Sequence, residues 1–109
     1  MRRFASLSRQ ADFARLRRQG RRASSESVIV YRGDTRPGDA SSLVGITVSK
    51  SIGKAVTRNK LRRRIAAIVH QALAGHAAMR LLVVARPTAA LAHFGDLQAE
   101  VTSALQRTY

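Results

Sequence analysis

Seven cationic side chains and no acidic one lie within the fifteen residues from Lys50 to Arg64. The segment reads Lys-Ser-Ile-Gly-Lys-Ala-Val-Thr-Arg-Asn-Lys-Leu-Arg-Arg-Arg, so a glycine-containing turn leads into a helical pattern. Like charges crowded on one short helix repel each other, and such a helix gains little by folding alone. The charge is useful when it faces phosphate, because each bound cation releases condensed counterions. These residue types therefore favour the binding of a polyanion.

A helix through this segment separates the charge from the apolar side chains. At about 100° per residue, four polar side chains fall together on one side: Arg58, Asn59, Arg62 and Arg63. The apolar stripe that contains Leu61 and Ile65 falls on the opposite side. The alternative is an exposed basic face that only keeps the protein soluble. Solubility does not require a same-sign cluster beside the longest helix, so the pattern favours a binding face.

The turn before this helix resembles a nucleotide-binding P-loop only in part. A P-loop requires a glycine, four residues, then Gly-Lys and a serine or threonine. Val48 stands where the first glycine belongs, and Ala55 follows Gly53-Lys54. Nucleotide hydrolysis is therefore not expected. The free N–H groups at the start of the helix, with Lys50 and Lys54, are still suited to an RNA phosphate.

Phe13 and Tyr31 are two of the five aromatic residues in the chain. Aromatic rings form stacking platforms for unpaired bases, and each stacked base contributes roughly 1–3 kcal/mol. Core packing of the first helix is an equal alternative for Phe13. Tyr31 ends a strand, and its ring is compatible with either face of the sheet.

The sequence shows no catalytic constellation. It has no cysteine, no paired carboxylates and no Ser/His/Asp set, and its six acids are too few for a protein-only two-metal nuclease. We therefore expect no catalytic residue, and no metal or cofactor bound by the protein alone. If the chain serves an RNA-cleaving reaction, the catalytic groups belong to a partner.

Length and charge limit the remaining possibilities. At 109 residues the chain is expected to form one domain, residues 1–109. Its formal net charge is +14, and no acid occurs from Ala40 through Gly95. Such a continuous basic field favours nucleic acid as partner, with a membrane surface a distant second. Polyanions such as sulfate or phosphate are expected to bind the free protein and to stabilise it.

The sequence gives no sign of a membrane or export signal. Met1 to Ala5 lack the apolar region of a signal peptide. No apolar run approaches the roughly 20 residues that span a bilayer. A soluble, cytoplasmic protein is the expectation.

Apolar periodicity predicts an α+β fold, a small sandwich with the order α-β-β-α-β-α. A first helix covers Leu7 to Leu16, with Ser8 as N-cap and Gly20 as its end. A further short strand is possible near Arg22 to Ser25. The remaining elements are strands at Val28–Tyr31 and Leu43–Ser49, a helix from about Lys54 to Ala74, a central strand at Leu81–Ala85 and a helix at Phe94–Arg107.

The segment from Lys50 to Arg64 closely resembles the signature of the bacterial ribonuclease P protein subunit. That signature is a lysine-containing strand end, Gly-x-Ala-Val, an Arg-Asn-Arg motif and a basic helix. Leu7 to Leu16, with Asp12-Phe13, resembles the first helix of the family. Leu82 to Pro87 resembles its apolar strand and the turn that follows. The resemblance covers nearly the whole chain.

The resemblance implies a small α/β sandwich with a left-handed βαβ crossover. It implies a protein cofactor that assists a catalytic RNA in removing the 5′ leader of precursor tRNA, with Mg²⁺ serving the RNA-based chemistry. The partners implied are this RNA and precursor tRNA. A leader cleft between the first helix and the sheet would contain Phe13, Tyr31 and Arg17. The basic signature would consist of Lys50, Gly53, Lys54, Arg58, Asn59, Lys60, Arg62 and Arg63.

The chain departs from the family pattern at three places. Lys60 replaces the second arginine of Arg-Asn-Arg, which keeps the charge and loses bidentate contact. Ala66-Ala67 stand where many relatives are charged, and Arg17 stands where an aromatic residue is frequent. A ribosomal-type or general RNA-binding protein without a tRNA-processing role is the alternative. It accounts for the charge but not for the signature.

Overall fold

The computed structural model describes residues 3–109, which form a mixed α+β fold. The predicted fold class is therefore confirmed. The strands are β1 Phe4–Ser6, β2 Arg21–Ser24, β3 Val28–Gly33, β4 Ser42–Thr47 and β5 Arg80–Ala85. The helices are α1 Gln10–Gln19, α2 Ala55–Ala72 and α3 Phe94–Arg107, and short 3₁₀ turns cover Lys50–Ile52 and Pro87–Leu91.

The five strands form one mixed sheet in the order β1-β4-β5-β3-β2. β4 pairs in parallel with β1 and with β5, whereas β3 pairs antiparallel with β5 and β2. β4, α2 and β5 thus form a parallel βαβ unit. The left hand of this crossover stays an expectation from the family resemblance.

The larger core lies between the sheet and helices α2 and α3. On this face β5 contributes Leu81 and Val83, which are fully or almost fully buried. The stripe predicted for α2 is buried here, and so is the inward face of α3, whose predicted bounds are those of the structure. The helical residues in this core include Leu61, Ile65, Ile68, Val69, Leu97, Val101, Ala104 and Leu105.

On the opposite face of the sheet, α1 packs against β3 and β5. The second core cluster consists of Leu7, Leu16 and Leu82, with Phe13 and Tyr31 half-buried beside them. The predicted α1 is wrong in detail. Its N-cap is Arg9 and not Ser8, and no side chain caps it.

The apolar pattern assigned to α1 also fails in part. Ala11 and Ala14 are exposed, and Leu7 precedes the helix. Gly20 ends the helix as predicted, since its N–H donates to the carbonyl of Leu16 at 2.8 Å. A Cβ on Gly20 would lie 2.5 Å from that same carbonyl oxygen, so close approach and not a left-handed backbone requires glycine there.

Two strands differ from the sequence prediction for simple reasons. β1 was missed, because three residues are too few to show alternation and a parallel edge strand depends on its partner β4. β2 confirms the possible strand near Arg22. β4 ends at Thr47, before the predicted Ser49, because the chain turns there into the 3₁₀ segment Lys50–Ile52.

Arg80 joins three parts of the molecule through its guanidinium. Its Nε and Nη2 donate to the two carboxylate oxygens of Asp39 at 2.9 and 3.0 Å, and its Nη1 donates to Asp12 at 3.0 Å. The side chains of Arg80 and Asp39 are 13% and 7% exposed. We call Asp12, Arg80 and Asp39 the Arg80 clamp, because it fastens α1 and the loop before β4 to the first residue of β5.

Asp39 gives this clamp a defined pH dependence. The hydrogen bonds from Arg80 and from the backbone of Arg36 lower the pKa of Asp39 from 3.8 to about 2. The folded protein therefore holds the proton less tightly than the unfolded chain. The stabilisation is fully present above the unfolded pKa and is lost as the pH falls through the folded pKa.

We expect Asp39→Asn to flatten the dependence of stability on pH between about pH 4 and pH 2. Thermal melts of wild type and variant across this window measure the difference. Asp34→Asn is the matched control, because Asp34 is exposed in the same loop and makes no hydrogen bond with a described residue. Parallel wild-type and Asp39→Asn curves would contradict the assignment.

Candidate nucleic-acid interface

The polar side chains of α2 occupy its solvent side, opposite the buried stripe. Arg62 donates to the side-chain oxygen of Asn59 at 3.0 Å, which fixes the two side chains relative to each other. Arg63 is exposed, and its side chain makes no hydrogen bond with a described residue. Asn59, Arg62 and Arg63 therefore lie together, as the helical spacing predicts.

Arg58 has a different local contact. Its Nε donates to the carbonyl oxygen of Gly53 at 3.2 Å. This bond ties the start of α2 to the preceding loop, so Arg58 shapes the loop as well as adding charge. Lys50 and Lys54 are exposed on either side of Gly53. Lys54 is the N-cap of α2, and no side chain caps that end.

Lys60 lies on a different border of α2. It lines a cavity with Arg64, Val56 and Ala89 and is separate from the Asn59, Arg62 and Arg63 group. The cations of α2 thus spread over its whole exposed arc, from one border of the helix to the other. An arc of this width is suited to contacts with several phosphates at once.

A cavity of about 350 Å³ lies between α1 and α2, at the edge of the sheet. Phe13 lines it from the α1 side, and Asn59, Arg62 and Arg63 line it from the α2 side. Gly45 and Ile46 of β4 form part of its wall, beyond the end of the short strand β1. The structure therefore brings the aromatic candidate and the basic candidates to one cavity.

The ring of Phe13 fits against the bare backbone of Gly45. A Cβ on Gly45 would lie 2.5 Å from Cε1 of Phe13 and 3.2 Å from the carbonyl oxygen of Leu7. Phe13 also packs in the second core cluster, where it is half-buried. It is thus both a packing residue and a wall of the cavity, so the two alternatives posed by the sequence are not exclusive.

Cross-strand register defines rows of side chains on the α1 face of the sheet. The row that contains Tyr31 also contains Gly45, Leu82 and Arg22. The first row on this face consists of Leu43, Arg80 and Gly33, and the row of Tyr31 is the second. The members of the third row are all half-buried. The third row consists of Thr47, Val84, Ile29 and Ser24.

Thr47 in the third row has an unusual polar group. Its Oγ1 is buried and has no hydrogen-bond partner among the described residues. Buried hydroxyl groups in proteins are nearly always paired, so an unpaired one calls for an explanation.

Arg17 follows Phe13 by one turn of α1 and is exposed. It does not line the cavity between α1 and α2. The sequence reasoning missed Gly45, Ile46 and Thr47. Thr47 lies on the face of β4 opposite Val44, and only the position of α1 on that face shows that Thr47 borders the site.

The described residues contain no group of three or more acidic or histidine side chains that is able to hold a metal ion. Among residues 3–109, no helix is long and apolar enough to cross a membrane. The arrangement of basic arc, aromatic wall and open sheet row is suited to RNA, through phosphate contacts and base stacking.

Comparison with known proteins identifies the family. The ribonuclease P family model matches residues 1–109. The ribonuclease P protein component of Thermobifida fusca is 39% identical over 107 residues, covering 92% of this chain and 73% of that protein. That of Acidothermus cellulolyticus is 41% identical over 105 residues, covering 93% and 85%.

Solved structures show the same fold. The RNase P protein of Staphylococcus aureus is similar with a TM-score of 0.83 and 27% identity, covering 94% of this chain and 93% of that one. The RNase P protein from Thermotoga maritima has a TM-score of 0.78 at 23% identity, covering 95% and 97%, and shows a likeness of fold.

These findings define an RNA-binding protein of the tRNA-processing machinery. The chain belongs to the ribonuclease P protein family, as the resemblance of its basic segment predicts. It is a protein subunit of the endoribonuclease ribonuclease P, a ribonucleoprotein. The alternative of a general RNA-binding protein without a tRNA-processing role is thereby set aside.

We expect Arg62→Ala and Arg63→Ala to weaken binding to the catalytic RNA without unfolding the protein, because neither side chain belongs to the core. Each lost phosphate contact lowers the slope of log K against log salt by about 0.7–0.9. Ile65→Ala is the opposite case. Ile65 is 0% exposed, and its truncation lowers the free energy of unfolding by about 2–5 kcal/mol. Salt titrations of binding and thermal melts separate the two classes.

Arg107→Ala provides the control for lost charge. Arg107 lies at the end of α3, where it donates to the carbonyl of Ser24 at 2.8 Å. Its loss removes one positive charge outside α2, and the salt slope is expected to stay at the wild-type value. The assignment of Arg62 and Arg63 to binding and of Ile65 to the core would be refuted if the two arginine variants melted at lower temperature while Ile65→Ala kept the melting temperature of the wild type.

Proposed function

We propose that α2 and the loop before it bind the catalytic RNA of ribonuclease P, while the α1 face of the sheet binds the 5′ leader of precursor tRNA. The protein acts as a cofactor in endonucleolytic removal of the leader. The RNA-binding set consists of Lys50, Gly53, Lys54, Arg58, Asn59, Lys60, Arg62 and Arg63. Residues 1–109 form one RNA-binding domain in this proposal.

One observation carries the proposal. Phe13 and the Asn59, Arg62 and Arg63 group line the same cavity, although they belong to different helices on opposite sides of the sheet. An RNA strand that contacts the basic arc is therefore adjacent to the aromatic wall. A single strand that leaves the catalytic RNA has a short path from α2 to the sheet face.

The open part of the α1 face supports a single-stranded ligand. Tyr31 and the members of the third row are half-buried, so part of each side chain stays accessible. A surface of small polar and apolar side chains beside an aromatic ring favours unpaired bases, because every base has a stackable face. Arg17 supplies a cation along the border of this surface. The hydroxyl of Thr47 lies beneath this surface, buried and without a partner among the described residues.

We propose that the chemistry of cleavage resides in the RNA. The described residues offer no set of ligands for a protein-bound metal. Mg²⁺, which the family reaction requires, would be held by RNA phosphates, with the protein lowering the concentration needed through added positive charge. The protein acts in the cytoplasm, and free anions such as sulfate or phosphate occupy the same cationic sites.

Phe13 is the sharpest test of leader binding. Phe13→Ala is expected to cost about 1–3 kcal/mol in affinity of the holoenzyme for precursor tRNA. Mature tRNA has no leader, so its affinity is expected to change little. Phe13→Leu is the matched control for packing, because leucine fills the space against Gly45 and lacks a face on which a base can stack. Paired affinities for both tRNAs, with melts of the free variants, provide the measurement.

Phe13→Leu should keep most of the stability of the wild type and still lose precursor affinity. Equal losses for precursor and mature tRNA, or full precursor affinity in Phe13→Leu, would remove the ring from the leader site. Reactions with RNA-free protein and with protein-free RNA complete the design. Cleavage of precursor tRNA by the protein alone would overturn the assignment of catalysis to the RNA.

A further inference from the structure

We propose that the Arg80 clamp positions α1 above the sheet and thereby sets the preference of the holoenzyme for precursor over mature tRNA. This inference rests on the proposed function, because it concerns the same leader surface. Asp12 and Arg80 act as positioning residues, which hold the wall of the leader surface without lining the cavity that contains Phe13.

The helix α1 has little other attachment to the sheet. Leu16 is its single buried residue among Gln10–Gln19, and Phe13 is half-buried. A helix of 10 residues is marginal by itself in water. Its position therefore depends on few contacts, and a polar bond with fixed geometry has a large share in defining it.

The clamp has the geometry of a strong ion pair. Arg80 bonds to Asp39 through two parallel N–H donors and to Asp12 through a third, with all three distances between 2.9 and 3.0 Å. Asp12 is 20% exposed, so the pair is shielded from most of the solvent. Bidentate arginine–carboxylate pairs are more directional than simple ion pairs. The double bond to Asp39 fixes the guanidinium, and its remaining donor then fixes Asp12.

Asp12 and Phe13 are neighbours in α1 and hold it from two sides. Successive side chains on a helix differ in direction by about 100°. Asp12 is bound to the start of β5, while the ring of Phe13 lies against Gly45 of β4. Together they fix the rotation of α1 about its axis. Loss of the Asp12 bond would free this rotation, and Phe13 and Arg17 would move relative to the third row.

Two substitutions test the clamp with opposite changes in charge. Asp12→Ala makes the protein more positive by one charge, and Arg80→Met makes it less positive by one. Charge alone would strengthen RNA binding in the first variant and weaken it in the second. We expect both to lower the ratio of precursor to mature tRNA affinity by about threefold to tenfold, a part of the loss expected for Phe13→Ala.

Asp34→Ala is the matched control, since Asp34 lines a cavity with Asp12 and Arg80 but makes no hydrogen bond with a described residue. It changes charge as Asp12→Ala does and should keep the wild-type ratio. Hydrogen exchange of the α1 amides in the free protein gives an independent readout. It should accelerate in both clamp variants and stay as in wild type in Asp34→Ala.

The outcomes separate the inference from the proposal on which it rests. If Phe13→Ala lowers the affinity ratio while Asp12→Ala and Arg80→Met keep it, the clamp inference is overturned and leader binding stands. If the two clamp variants shift affinity in opposite directions for both tRNAs, charge is the cause and the inference is overturned. If Phe13→Ala itself keeps the wild-type ratio, the proposed leader site fails first, and the inference fails with it.

Discussion

β5 carries buried apolar side chains on both of its faces, and this requirement shapes the rest of the molecule. Leu81 and Val83 face α2 and α3, while Leu82 faces α1. Two long helices bury the first face, whereas one helix of 10 residues covers the second. The second face is therefore covered only in part. The third row and Tyr31 remain accessible because the chain provides too little helix to bury them.

The acidic side chains are unevenly distributed over the molecule, and they are absent from the lining of the cavity between α1 and α2. Three of the six acids, Glu26, Asp96 and Glu100, line a cavity that also contains Thr88 and Leu91. Asp12 and Asp39 are bound to Arg80. None of the acids lines the cavity between α1 and α2. The cations of α2 that line this cavity therefore have no acid beside them there, and a polyanionic partner would relieve the repulsion among them.

Local patterns predicted those elements that depend on their own sequence. The bounds of α3 are as predicted, and β5 is the central strand that its continuous apolar run indicates. The elements that the sequence predicts poorly are those whose stability comes from contacts with another element. β1 exists through pairing with β4, and α1 is held in place by its packing on the sheet and by the bond of Asp12 to Arg80. The N-cap of α1 is Arg9 and not the predicted Ser8. A side chain that is able to cap a helix does not by itself decide where the helix begins.

The sequence by itself determined the excess of positive charge, the basic segment that continues into α2 and the family signature from Lys50 to Arg64, because residue types and spacing along one helix are local properties. Only the tertiary structure decided that Phe13 shares a cavity with Arg62, that Gly45 makes room for its ring, and that Thr47 lies in an open row. These facts depend on strand register and on the position of α1, which are set by contacts between residues far apart in the chain.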